Sequence, residues 1–242
     1  MIYLFNLETL LNSEQRMSQE TKDIFLSWSN DKEFCIVTRQ SFGKAFECLP
    51  LEVLENAKYI FCFSGNAIYK SYKEEINSYL RIRYDTVEWK DEVIDMCNDF
   101  VKKSKYEKKK EEHIKKEPGI LAVSSLGLNS TPEERQEYFE WDASKKERTA
   151  FVKKFNKKFK DLEASLGDQV SVEIREKGKN KSQIFDFLEE KEIVLFQCEN
   201  EIDLSLSNKI EKEESGKNHS IKDSKETFEI ISREYYDIKA CA

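Results

Sequence analysis

Four stretches of this chain are apolar without interruption. "IYLF" (2–5), "FCIV" (34–37), "YIFCF" (59–63) and "IVLF" (193–196) each end at polar or turn-forming positions. Strands buried on both faces, as in a parallel sheet, have this pattern. Between the first three lie amphipathic segments. "EQRMSQETKDIFLSWS" puts Met17, Ile24, Phe25 and Trp28 on one helical face, and "SFGKAFECL" predicts a shorter helix. Gly65-Asn66 marks a turn after the third strand. This strand-helix-strand rhythm predicts an α/β fold, a parallel sheet with helices on its faces.

The pattern changes in the middle of the chain. "DEVIDMCNDFVKKSKYEKKKEEHIKKE" (91–117) predicts a helix that continues into a lysine-glutamate run. "GILAVSSLG" predicts a strand, and Thr131 is a good N-cap for a helix with Pro132 in its first turn. "KKERTAFVKKFNKKFKDLEASL" predicts one long helix, with Phe151, Val152, Phe155 and Phe159 at helical spacing. "QVSVEI" alternates apolar and polar residues, as a half-exposed antiparallel strand does. An α+β insert over 82–184 follows, between core segments 1–81 and 185–242. In the last segment "SQIFDFLEE" predicts a helix, while Asn208 to Glu226 has few apolar residues and predicts a flexible loop.

Composition narrows the function classes. Aromatics at 12% favour a packed core although 36% of residues are charged. The formal charge of -7 argues against wholesale nucleic-acid binding but leaves room for a local basic patch. Cys35, Cys48, Cys62, Cys97, Cys198 and Cys241 are scattered without a CxxC pair, which predicts free thiols in a reducing cytoplasm. Only His113 and His219 exist, so a histidine-based active site is not expected. No apolar run reaches the length of a membrane span, and a cytoplasmic location with no membrane partner is expected.

Two blocks carry a specific resemblance. "PGILAVSSLGLNSTPEERQEYFEWDASKKERTAFV" (118–152) and "GDQVSVEIREKGKNK" (167–181) resemble, without gaps, cap segments of the eukaryotic phosphomannomutases, members of the haloacid-dehalogenase superfamily. The resemblance implies a Rossmannoid core with an inserted α+β cap. It also implies an aspartate nucleophile and a second, acid aspartate after the first strand, where this chain has Asn6 and Glu8. Gln40 falls on the hydroxyl that binds the transferring phosphate, with Thr38 and Ser41 nearby, and Lys181 on the lysine of the third motif. Cys198, with Glu199 and Glu201 beyond it, stands where magnesium ligands are implied. Three implied phosphate-gripping arginines fall on Glu117, Leu128 and Arg135; Ser171 matches a phosphate-contacting serine, and Glu173 replaces an aspartate.

A carboxamide cannot form a labile acyl-phosphate by simple attack. Magnesium demands hard oxygen ligands, so no metal or other cofactor is expected here. These departures predict a catalytically inactive relative that works as a binding factor. The densest cations, Lys102, Lys103, Lys105, Lys108, Lys109, Lys110, Lys115 and Lys116, then form the candidate binding face, with Tyr106 available to stack on a base. RNA or the ribosome is the expected partner, with a protein partner or cap-mediated dimer beside it. The alternative is a divergent active phosphomannomutase or sugar-phosphate phosphatase that uses Glu8.

Overall fold

The computed structural model describes residues 1–72, 78–189 and 192–240. The chain divides into two units, Met1–Tyr84 with Asn180–Ala242, and Asp85–Lys179. In chain order the first unit supplies β1 (Ile2–Asn6), α1 (Gln19–Ser29), β2 (Phe34–Val37), α2 (Phe42–Cys48), α3 (Leu51–Asn56), β3 (Tyr59–Cys62), β4 (Ala67–Ser71) and β5 (Tyr79–Tyr84). The second unit holds α4 (Asp91–Lys103), β6 (Ile114–Glu117), β7 (Ile120–Val123), α5 (Pro132–Lys145), α6 (Glu147–Lys158), β8 (Leu162–Leu166) and β9 (Val172–Glu176). The first unit resumes with α7 (Gln183–Phe187), β10 (Ile193–Cys198), α8 (Ser205–Lys212), β11 (Gly216–Ile221) and α9 (Ser224–Ala240).

The first unit is built on a sheet of order β11-β10-β1-β2-β3-β4-β5, parallel from β11 to β3. The apolar runs form its central strands, because only residues without polar side chains can be covered on both faces. Leu4 and Leu195 belong to one core cluster with Val37 and Phe61. Phe5 belongs to an aromatic cluster: it stacks on Phe196 at 4.6 Å and meets Phe25 and Trp28 of α1 edge-on. After β3 the chain turns through Phe63 and Ser64, both at positive φ, and Gly65. A Cβ on Gly65 would lie 2.9 Å from Ile184 of α7, so this turn packs closely enough to need glycine.

The second unit has a separate antiparallel sheet of order β6-β7-β9-β8. Leu121, Val123, Val172 and Ile174 pack on Phe100, Phe151 and Phe155 from α4 and α6. Strand residues of opposite parity, Ala122, Glu173 and Arg175, therefore point to the other sheet face. Thr131 caps α5 as expected, in a capping box with Glu134 and with Pro132 at the first turn.

Three sequence expectations are corrected. The lysine run is not helical beyond Lys103; Lys105–Lys110 lie in irregular backbone, and Lys115 and Lys116 belong to β6. Residues 104–113 lack the repeating apolar positions that fasten a helix to a core. The long lysine-rich helix also ends early, at Lys158. Asn156 turns back to bond both the amide and the carbonyl of Ala164, at 2.7 and 2.9 Å, which sets β8 beside α6. Finally, Asn208 to Glu226 is ordered as parts of α8, β11 and α9. Its order comes from Leu206 and Ile210, buried on α8, and from a backbone ladder between β11 and β10.

Candidate active site

The sheet order places the site. From β1 the chain proceeds to β2 and β3 on one side, while β10 and β11 lie on the other. The switch point is therefore between β1 and β10, the place where open α/β sheets bind ligands beyond their strand ends. Asn6 is the last residue of β1 and Cys198 the last of β10. Thr38 and Gln40 follow β2, next to Asn6 in register with Val37. The resemblance-derived positions Asn6, Lys181 and Cys198 thus meet at one end of the sheet.

Glu201 organises that end. Its Oε2 accepts a hydrogen bond from Asn6 Nδ2 at 2.6 Å and forms an ion pair with Lys181 Nζ. Its Oε1 accepts the backbone N–H of Asp203 at 3.1 Å. Asn6 and Lys181 are buried, and the Glu201 side chain is only 8% exposed. Asp203 accepts the backbone N–H of Lys181 at 3.2 Å and both the N–H and hydroxyl of Ser205, so it also starts α8. This explains the amide at position 6. A carboxylate there would face Glu201 as a like charge in a site with little water, whereas the carboxamide donates.

The electrostatics agree with an ionised pair. Burial pushes the Glu201 carboxyl up, but the Lys181 charge and hydrogen bond, the Asp203 amide and Arg39 pull it below its ordinary 4.5. Cys198 is pushed up to about 12, by burial first and then by Glu8 and Glu201, so it is a neutral thiol. Glu8 itself is exposed just beyond β1. Gln40 is exposed, the Thr38 hydroxyl is engaged by the Gln40 N–H at 3.1 Å, and Ser41 caps α2.

The magnesium ion implied by the family does not fit these donors. Both oxygens of Glu201 and both of Asp203 already accept hydrogen bonds from the protein. Lys181 neutralises Glu201, and a neutral thiol is a poor ligand for a hard cation. Among the described residues no group of three His, Cys, Asp or Glu side chains converges as a metal site would require.

In the second unit, Arg135 and Ser171 meet through Asp168. Arg135 forms an ion pair with Asp168, whose amide donates to the Ser171 hydroxyl at 3.2 Å. Burial pushes the Asp168 carboxyl up, yet Arg135 and the N–H groups of Val170 and Ser171 hold it below its ordinary value. Sequence reasoning missed Arg148, which bonds the buried Asp142 at 2.8 Å and the carbonyls of Asp168 and Ser171. The available signal was Asp142 itself, an acceptor placed to cap α6, whose Oδ1 takes the amides of Glu147 and Arg148. Glu173 lies on β9 near the buried Arg175, and Glu117 pairs with Lys115. Leu128 donates its backbone N–H to the Glu112 carbonyl.

The lysine face does not assemble as expected. Lys103 pairs with Asp99, Lys108 with Glu137, Lys110 with Glu134 and Lys115 with Glu117, while Lys109 donates to the Val101 carbonyl. Lys102, Lys105 and Lys116 are exposed. Tyr106 is buried against Tyr138 and Trp141, with ring centroids at 5.0 and 5.1 Å, and so cannot stack on a base. Cys35, Cys48, Cys62, Cys97 and Cys198 are free thiols, and Cys241 lies outside the described residues.

Comparison with known proteins fixes the family. The chain is similar to phosphomannomutase of Galdieria sulphuraria, 27% identical over 197 residues, covering 80% of this chain and 78% of that protein. It is also similar to phosphomannomutase 1 of Mus musculus, 28% identical over 196 residues, covering 77% and 73%. In fold it resembles a haloacid dehalogenase-like hydrolase from Bacteroides thetaiotaomicron, with a TM-score of 0.56 and 9% identity over 96% of this chain and 98% of that one. A trehalose-6-phosphate phosphatase related protein matches with a TM-score of 0.53 and 13% identity, over 99% and 100%. The expectation of a catalytically inactive binding factor for RNA or the ribosome is overturned by these relatives, which are named as enzymes and match most of the chain. The family model for eukaryotic phosphomannomutase matches residues 22–236, and the chain belongs to that family.

Proposed function

We propose that this protein carries out phosphoryl chemistry on a sugar monophosphate, as a divergent phosphomannomutase or sugar-phosphate phosphatase. The observation that supports this reading is family membership across residues 22–236, and the named relatives supply the substrate class. The polar cluster at the sheet's switch point gives the chemistry a place. Glu8, the exposed carboxylate beyond β1, is its reactive group. Asn6 forms no acyl-phosphate, so a phosphoryl group carried on the protein would be carried on Glu8. With water as acceptor, Glu8 instead takes a proton from water as the water oxygen bonds phosphorus. The sugar–oxygen bond to phosphorus then breaks, and Glu8 returns the proton to the sugar oxygen.

The two courses differ in product. The test incubates the full chain with mannose 1-phosphate and measures both mannose 6-phosphate and inorganic phosphate, for the native protein and Glu8→Gln. One of the two products is expected, lowered by about 100-fold or more in the variant, as for loss of a positioned acid-base group. Neither product, or equal turnover by the variant, refutes the assignment.

A further inference from the structure

The site at the end of β1 and β10 contains a cation of its own. Lys181 Nζ is buried and ion-paired with Glu201, and Asn6 donates to the same carboxylate oxygen. The remaining acid of the cluster, Asp203, is used by Lys181 N and by Ser205. No carboxylate of this cluster is left with the open oxygens that a divalent ion would bind. An ammonium has three donors, and Glu201 takes one of them. Arg39, close enough to pull the Glu201 carboxyl down, adds a second positive charge beside it. Against these stands one buried anion, Glu201, so the cluster has positive charge to spare for an incoming oxyanion.

We propose that the Lys181 ammonium, fixed by Glu201 and Asn6 and joined by Arg39, takes the place of a divalent cation and binds a phosphate group without magnesium. The choice of phosphate as ligand rests on the function proposed above; the metal independence rests on the donor set alone. Asn6 and Glu201 orient Lys181 and are positioning residues here, whereas Lys181 touches the anion.

The experiment follows the melting temperature of the full chain with three additions: magnesium chloride alone, inorganic phosphate with EDTA, and inorganic phosphate with magnesium. Magnesium alone should leave Tm unchanged. Phosphate should raise Tm in EDTA, with an affinity that magnesium alters by less than about twofold. Because Lys181→Gln leaves Glu201 without its cation, the double variant Lys181→Gln, Glu201→Gln removes both charges together. It should fold and bind phosphate at least about tenfold more weakly, the loss of one charged hydrogen bond. A saturable Tm increase with magnesium alone, phosphate binding only when magnesium is present, no phosphate binding in either condition, or undiminished binding by the double variant overturns the proposal. Phosphate binding in EDTA with no turnover of a sugar phosphate upholds this inference and defeats the catalytic reading. Turnover that EDTA abolishes does the reverse.

Discussion

The lysines of residues 102–116 and the single Lys181 both meet carboxylates, in opposite settings. In the first region Lys108 and Glu137 are 67% and 50% exposed, and water screens what their pairing contributes. In the second the Lys181 and Glu201 side chains are 4% and 8% exposed, with Asn6 fastened to the same carboxylate. A dense run of charge along the sequence has produced scattered surface pairs. One lysine with no neighbours of its kind has become the centre of the polar cluster. Burial, more than the number of charges, decides where electrostatics acts strongly in this chain.

The largest effect should follow from breaking the buried pair on one side. Glu201→Ala leaves a buried ammonium without its anion and should cost about 3–5 kcal/mol, read as a lower denaturation midpoint at unchanged m. Lys181→Met with Glu201→Leu should cost clearly less than Glu201→Ala, because no unpaired charge remains. Equal losses in the single and double variants would show that the pair matters through packing alone.

The second unit offers the same contrast at the next level. Asp142 and Arg148 are 5% and 4% exposed, and Arg148 ties α6 to the carbonyls of Asp168 and Ser171. Asp142→Ala removes both the ion pair and the cap of α6. It should cost about 3 kcal/mol, close to Arg148→Met and far from additive with it. Independent effects of the two changes in a double-mutant cycle would break the comparison between the two buried pairs.

Sequence legibility follows the same division. The central strands were legible because β1, β2 and β10 bury nearly every residue and must be apolar throughout. Strands β6 (IKKE) and β11 (GKNHSI) were not, since each is an edge strand held by backbone pairing and needs little apolar surface. Gly216 was a usable hint: a Cβ there would lie 1.7 Å from the Ile193 carbonyl oxygen, so β11 starts by close approach to β10. At the site, Asn6 and Lys181 were located by resemblance, and Glu201 was visible as an acid past the last long strand. Their mutual contact was not legible, because Asn6 and Glu201 are 195 residues apart and neither has a local pattern that names its partner. Reading Asn6 as lost chemistry missed its use as a donor to Glu201.

Acid should sharpen the comparison by a smaller step. Burial raises the Glu201 carboxyl, but Lys181, the Asp203 amide and Arg39 lower it further, to below 4.5. Asp168 behaves alike in the second unit, with Arg135 outweighing its burial and holding it below 3.8. Groups lowered in the folded state bind fewer protons there than in the unfolded chain. Their stabilisation is complete above the ordinary value and is lost as pH falls through the folded value. Stability should therefore hold from neutral pH down to about 5 and decline below about 4.5. Replacing Glu201 and Lys181 together should flatten part of that decline, measured as the pH dependence of the urea midpoint. An unchanged acid limb would mean that Glu201 titrates normally.

The smallest effect is expected where the charges are most numerous. Lys108, Lys109 and Lys110 are replaced by glutamine in one variant, which removes the pairs with Glu137 and Glu134 and the bond from Lys109 to the Val101 carbonyl. The carboxylates left behind are solvated, so no buried charge is created, and side chains released from exposed pairs regain rotamer freedom. Tyr106, which anchors this segment between Tyr138 and Trp141, is untouched. The melting temperature should match the native protein within error, and added salt should narrow any remaining difference, because exposed charges are screened within about 10 Å at ordinary ionic strength. A large, salt-insensitive loss would place these lysines with Lys181 among the groups the fold depends on, and the distinction between the two regions would fail.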